Sequence, residues 1–279
     1  DYAEASDLFC PDYAYFSSVS QNWLSHASSY VEQIRERLSL NAQSFVIEVA
    51  SNDGYLLKNF VSAGIPCLGI EPTVSTASAA ETLGIPVLRN FFNSSLAAQI
   101  VSERGKVDLV IGNNVYAHVP DINDFTSALK VILKPRGVIT LEFPHLLRLI
   151  KGNQFDTVYH EHFPYLSLYT VRKIFKQASL KVWDVDHLPT HGGSLRIYGC
   201  HADDPRKISA SVGESLEEER RYGLQKLPCY KKFQSCADRV KTDLLNFLIE
   251  QKNTGKTVAA YGAAAKGNTL LNYAGVKPD

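Results

Sequence analysis

Short apolar runs alternate with stretches of helical spacing along most of the chain. Between Asn22 and Leu38 the apolar positions Trp23, Leu24, Ala27, Tyr30, Val31, Ile34 and Leu38 share one helical face, with Glu32, Arg35 and Arg37 turned outward. Strands are then predicted over residues 46–50, 67–70, 87–88, 107–111 and 138–143, and helices over 55–61, 76–83, 94–103 and 125–133. Lys134-Pro135-Arg136-Gly137 reads as a turn into the fifth strand. Such alternation calls for an α/β, doubly wound parallel sheet with helices on both faces.

The first apolar run, Phe45 to Ala50, is interrupted only by Glu48 and is followed by Ser51-Asn52-Asp53-Gly54. A tight turn from a first strand into a helix points backbone N–H groups at the strand's carboxyl end, where doubly wound sheets bind nucleotides. Gly54 is the turn's one glycine, so a pyrophosphate against the backbone is disfavoured. Glu71 closes the second apolar run and can accept hydrogen bonds from ribose hydroxyls. Two readings stay open: an adenosyl ligand lacking phosphate, such as S-adenosylmethionine, or an ordinary α/β core with a polar turn and a solvent-facing Glu71. Asn113-Asn114 stands at the carboxyl edge of the fourth strand, with His118 shortly after.

Composition narrows the class. Of 279 residues, 45% are hydrophobic and 21% charged, enough for a full core. A formal net charge of zero argues against nucleic-acid binding. No apolar run approaches the roughly twenty residues that span a bilayer, and no signal-peptide pattern opens the chain. Cys10, Cys67, Cys200, Cys229 and Cys236 are scattered, as expected of reduced thiols in the cytoplasm. The chain has no Met, even at position 1, so it is expected to be part of a longer product.

Unusual chemistry gathers after the fifth strand. Pro144-His145 is followed by Tyr159-His160-Glu161-His162. In an extended segment His160 and His162 would share a face and Glu161 would face away. Two such histidines can ligate zinc, but no third ligand is nearby; the alternative is acid–base work by one imidazole. A strand is predicted over 181–186, and then comes Thr190-His191-Gly192-Gly193-Ser194. The glycine pair can bring N–H groups to an anion or can simply bend a hairpin. Residues 204–253 read as a charged helical connector, 257–261 as a strand, and 262–268 as a small-residue turn. Lys266 and Asn268 in that turn suit a diphosphate.

The acids in and after the first two strands, the polar residues after the fourth and the Lys-Pro-x-Gly turn together resemble a class I S-adenosylmethionine-dependent methyltransferase. Longer motifs are more specific. Residues 153–163, Asn-Gln-Phe-Asp-Thr-Val-Tyr-His-Glu-His-Phe, and 191–196, His-Gly-Gly-Ser-Leu-Arg, look like the sugar C-methyltransferases of deoxysugar biosynthesis. So do residues 51–55 and 112–118. The resemblance runs from about Tyr13 to the end. It implies methylation of the carbon beside the ketone of a TDP-4-keto-deoxysugar, through an enolate. It puts the base at His162, Glu161 nearby, and Tyr159, His118 and Tyr13 around the sugar. Ser51, Asp53, Gly54, Glu71 and Asn113 would hold the methyl donor, and His191, Gly192, Gly193, Ser194, Lys266 and Asn268 the sugar nucleotide. No metal is expected at the site. Methyl transfer to oxygen or nitrogen, or a nucleotide-binding module without chemistry, are the alternatives.

The chain departs from that family in lacking the cysteine pairs of its N-terminal zinc module and in carrying Pro164 where a small hydroxyl residue is expected. The expected plan is an arm and helix over 1–40, a donor-binding domain over 41–150, a substrate segment over 151–203, and a connector opening a second α/β domain over 204–279.

Overall fold

Strand-length runs flanked by helices set the architecture. The computed structural model describes residues 4–9, 15–262 and 264–277. In chain order the elements are α1 (Ala5–Leu8), α2 (Gln21–Leu38), β1 (Val46–Val49), α3 (Leu57–Ser62), β2 (Cys67–Ile70), α4 (Val74–Thr82), β3 (Val87–Leu88), α5 (Ser94–Arg104) and β4 (Val107–Asn113). They continue with α6 (Ile122–Ile132), β5 (Leu133–Pro144), α7 (Leu146–Lys151), α8 (Leu168–Gln177), β6 (Leu180–Leu188), β7 (Ser194–His201), α9 (Ala210–Tyr222), α10 (Leu227–Asn253) and α11 (Ala264–Ala274). No helix among the described residues is long and apolar enough to cross a membrane.

Among the described residues the strands form one seven-stranded sheet, ordered β3-β2-β1-β4-β5-β7-β6. The first five strands pair in parallel, and β7 runs antiparallel to β5 and β6. Alternate residues of the buried strands feed two cores, one on each face. Ile47, Val49, Leu68 and Ile70 pack with Ala97, Ile100 and Leu129 on one side. Val46, Leu109 and Ile111 pack with Ala27, Tyr30, Ile34 and Phe60 on the other. Each fully buried aliphatic or phenyl group contributes on the order of 1.5–3 kcal/mol.

Local chemistry sets the helix ends. Ser20 caps α2 by accepting from the Trp23 N–H (3.3 Å), and Asn93 caps α5 by accepting from Leu96 (2.8 Å). Asp121 accepts from the Asn123 and Asp124 N–H groups, which starts α6 three residues before the predicted 125. The connector is fastened to the sheet by Glu219 of α9, which is fully buried. Its carboxylate accepts from the Leu168 and Tyr169 N–H groups that open α8 (2.6 and 3.0 Å) and from His145 Nε2 (2.7 Å).

Several expectations need correction. The sheet is mixed rather than wholly parallel, because β7 enters between β5 and β6. Lys134 to Gly137 lies inside β5, where a register shift absorbs the proline against β4. The connector is helical, as expected, and falls into two helices broken at Gly223, whose left-handed conformation (φ 90) ends α9. Residues 257–261 form no strand; they are exposed and pair with no other strand. Residues 159–162 make a turn, closed by the His162 N–H to the Tyr159 carbonyl (3.1 Å), rather than an extended run.

Candidate active site

The turn after β1 is tightly determined. Ala50, Asn52 and Gly54 all take positive φ (56, 49 and 78). A Cβ on Gly54 would approach the Ile85 side chain to 2.4 Å, so glycine meets both a conformational and a packing requirement there. Glu71 is only 5% exposed and braces the turn instead of facing solvent. Its two oxygens accept from the Asn52 and Thr73 N–H groups, both at 2.9 Å, and each keeps a second acceptor position. Around this brace, Ser51 Oγ and Asp53 Oδ1 are buried without a hydrogen-bond partner among the described residues, and the buried Asn113 amide beside them has only the Tyr55 hydroxyl near it. Such a concentration is uncommon in native proteins and marks where a polar ligand or water completes the bonding. Below them, burial pushes the Glu48 carboxyl well above the carboxylate range; Tyr55 opposes, and the Glu71 and Asp53 charges add to the rise.

Residues 15–18 lie across the same turn. The Ser17 N–H donates to Asn52 Oδ1 (2.9 Å), the Ser18 N–H to Asp53 Oδ2 (3.0 Å), and Asn52 Nδ2 to the Tyr15 carbonyl (3.0 Å). Tyr13, a candidate sugar contact, lies outside the described residues.

A second wall was not anticipated. Glu142 on β5 is fully buried and gathers three donors. Arg196 of the facing β7 position donates at 2.7 Å, His26 Nε2–H at 2.9 Å and the Thr190 hydroxyl at 2.9 Å. Burial would raise its pKa, but His26 and Arg196 hold it below the usual carboxylate range. The group ties α2, β5 and the 190–192 turn together. Trp23 stacks on His26 (4.9 Å) and edges onto His191 (5.3 Å). His191 Nε2 in turn meets Asn114 Nδ2 at 2.8 Å; an amide can only donate from that atom, so the Nε2 lone pair accepts. Both residues take positive φ (52 and 54), unusual for non-glycine residues. A charge inside an otherwise apolar strand was the available signal for Glu142, the same irregularity that singled out Glu48.

The 159–162 turn supplies a ring cluster. His162 lies 4.8 Å from His118 and 4.4 Å from Tyr159, centroid to centroid. His162 Nδ1 is 2.8 Å from the Thr157 carbonyl. A carbonyl only accepts, so the ring proton sits on Nδ1 and the Nε2 lone pair is left available. Burial lowers the His162 pKa; the Thr157 carbonyl opposes and the Lys266 charge lowers it further. Burial and the His162 charge pull His118 down to about 4. Both rings are therefore neutral at pH 7. Burial raises the Glu161 carboxyl and the Tyr159 phenol. His160 is exposed and stands apart.

The remaining candidates divide. Burial lowers the pKa of both His162 and His191, and Lys266 comes close enough to add to that, while Asn268 is exposed. Gly193 spends its N–H on the Thr190 carbonyl (2.9 Å), and Ser194 its hydroxyl on the same oxygen (3.0 Å). A Cβ on Gly192 would strike Gln154 (2.4 Å) and one on Gly193 would strike Arg148 (2.7 Å). The glycine pair thus permits close packing of the turn.

Known proteins extend these observations. The family described as "Methyltransferase domain" matches residues 23–185, and "C-methyltransferase C-terminal domain" matches 189–279. The C-methyltransferase NovU of Streptomyces niveus is 33% identical over 97% of this chain, which spans 64% of NovU's length. Two solved structures share the fold at low identity. Magnesium protoporphyrin IX methyltransferase of Synechocystis PCC 6803 with bound SAH has a TM-score of 0.51 at 16% identity, covering 64% of this chain and 83% of that one. A protein of Pyrococcus horikoshii OT3 has a TM-score of 0.53 at 12% identity, covering 67% and 94%. With the first family match covering more than half of the chain, this protein belongs to the methyltransferase-domain family.

Proposed function

We propose that the protein is an S-adenosylmethionine-dependent C-methyltransferase that methylates the carbon beside the ketone of a TDP-4-keto-deoxysugar, with His162 as the base. The observation that carries this reading is the fixed tautomer of His162. Its Nδ1–H is held by the Thr157 carbonyl (2.8 Å), and a lowered pKa keeps the Nε2 lone pair free at neutral pH. The likeness to the C-methyltransferase NovU supports the reaction class.

The donor residues fit an adenosyl ligand. Glu71 keeps acceptor positions for ribose hydroxyls, Ser51 and Asp53 offer unpartnered polar atoms around it, and the Asn113 amide lies beside them. When bound, the donor supplies an electrophilic methyl group on a sulfonium. The chain's own work is to remove a proton and to stabilise the charge that develops on the ketone oxygen. His162 Nε2 takes the proton. Tyr159, whose phenol stays protonated, is placed beside it as a hydrogen-bond donor to the oxygen. His118 stays neutral, so it adds no second positive charge beside His162 once that ring has taken the proton. Lys266 brings positive charge to this side of the site, where a diphosphate would be held.

Incubating the protein with donor and a TDP-4-keto-deoxysugar, followed by NMR of the product, tests the reading. A new carbon-bound methyl beside the ketone is expected. A methyl on oxygen or nitrogen, with none on carbon, would overturn it.

A further inference from the structure

A cavity of about 400 Å³ opens at the amino edge of the sheet, at the opposite strand ends from the candidate active site. Its walls come from the end of α2 and the starts of β4, β5 and β6, together with Arg206 after β7. Three guanidinium groups line it, Arg37, Arg136 and Arg206. Two are held rigidly. Arg37 lies 4.5 Å over the Trp183 ring and 4.1 Å over the Tyr198 ring while pairing with Asp184. Arg206 pairs with Asp204 (3.1 Å) and donates to the Gly137 and Arg136 carbonyls (3.3 and 2.7 Å).

The acids around the cavity are already claimed. Asp108 takes Lys134 (2.6 Å) and the Phe45 N–H (2.7 Å), Asp184 takes Arg37, and Asp204 takes Arg206. Arg136 is left as excess positive charge on the wall. Among the described residues the buried Trp183 Nε1–H has no acceptor, a bond that an occupant or an ordered water would complete.

From this we infer that the cavity is a binding site for a small phosphate ester, separate from the methyl-transfer site. A carboxylate is planar and is served by one guanidinium fork. Guanidinium groups from three separate segments suit a tetrahedral group that accepts in several directions. The volume exceeds that of a bare phosphate, and the Ser39 and Ser44 hydroxyls on the wall suit a polar organic portion such as a sugar.

The test is titration of the Trp23→Phe protein with glucose phosphate, read by Trp183 fluorescence, with inorganic phosphate and glucose as comparisons. The S-adenosylmethionine site is presaturated with S-adenosylhomocysteine. Saturable binding of glucose phosphate, tighter than inorganic phosphate and absent for glucose, is expected. Arg136→Ala should weaken it about tenfold, as befits loss of one charge-assisted hydrogen bond, and Arg136→Lys should weaken it less. Arg136 is exposed, so its replacement leaves the fold intact, which a melting curve checks. No saturable signal, equal affinity for phosphate and ester, or an Arg136→Ala protein that binds as tightly as its parent would each overturn the assignment.

Discussion

Replacing His162 by Asn removes the free Nε2 lone pair but retains a side-chain N–H that can still reach the Thr157 carbonyl. General-base catalysis typically contributes about a hundredfold to ten-thousandfold, so kcat should fall within that range while donor affinity stays nearly unchanged. The wild-type pH profile carries a sharper expectation. Only the neutral ring can take the proton, so kcat/KM falls as pH drops through the His162 pKa. Burial and the Lys266 charge lower that pKa from 6.5. An unperturbed imidazole would be about one-tenth neutral at roughly pH 5.5; the wild-type enzyme should keep more than that share of its plateau rate there. Lys266→Ala removes a positive charge that disfavours the imidazolium, so the acid limb should move to higher pH. Solvent-deuterium exchange at the carbon beside the ketone, measured without methyl donor, isolates the step. Exchange at the wild-type rate in His162→Asn, an acid-limb midpoint at or above 6.5, or a limb unmoved in Lys266→Ala would refute the reasoning.

Glu71→Ala should weaken S-adenosylmethionine binding by about 1.5–3 kcal/mol through lost charge-assisted bonds, as read by calorimetry; an unchanged dissociation constant would remove Glu71 from the site. The folded-state pKa of His118 is depressed from 6.5 to about 4, so its contribution to stability is full above about 6.5 and is lost as pH falls toward 4. His118→Asn should therefore blunt acid destabilisation in that window by about 3 kcal/mol, visible in urea melts at a series of pH values. Glu142→Leu strands the buried Arg196 and should cost about 3–5 kcal/mol of stability, whereas Arg196→Leu with Glu142→Leu should recover part of it in a double-mutant cycle.

The parallel half of the sheet was legible because its strands are buried on both faces and so read as unbroken apolar runs. The Ser51–Gly54 turn after β1 was legible for a related reason, since a strand-to-helix turn has few chemical solutions. The charge of Glu142 inside an apolar run is visible in the sequence, but its role is not, because its partners His26, Thr190 and Arg196 arrive from distant segments and spacing carries no trace of them. Lys134 to Gly137 carries a turn signature that pairing with β4 overrides. Residues 257–261 have strand propensity but pair with no strand among the described residues, and propensity alone does not make a strand. The 159–162 turn is not legible from side-chain periodicity, because its defining bonds run to carbonyls at 157 and 159.

The placement of β7 between β5 and β6 has a consequence for biosynthesis. Among the described residues β6 pairs with β7 alone, and β7 is made after it. During translation β6 leaves the ribosome before its partner exists, and the outer edge of β5 stays open for the same interval. The unpaired β6 and the open edge of β5 are then exposed together, a condition that favours association with other chains. A nascent chain stalled before residue 194 would hold that condition indefinitely, even though all five parallel strands were already complete.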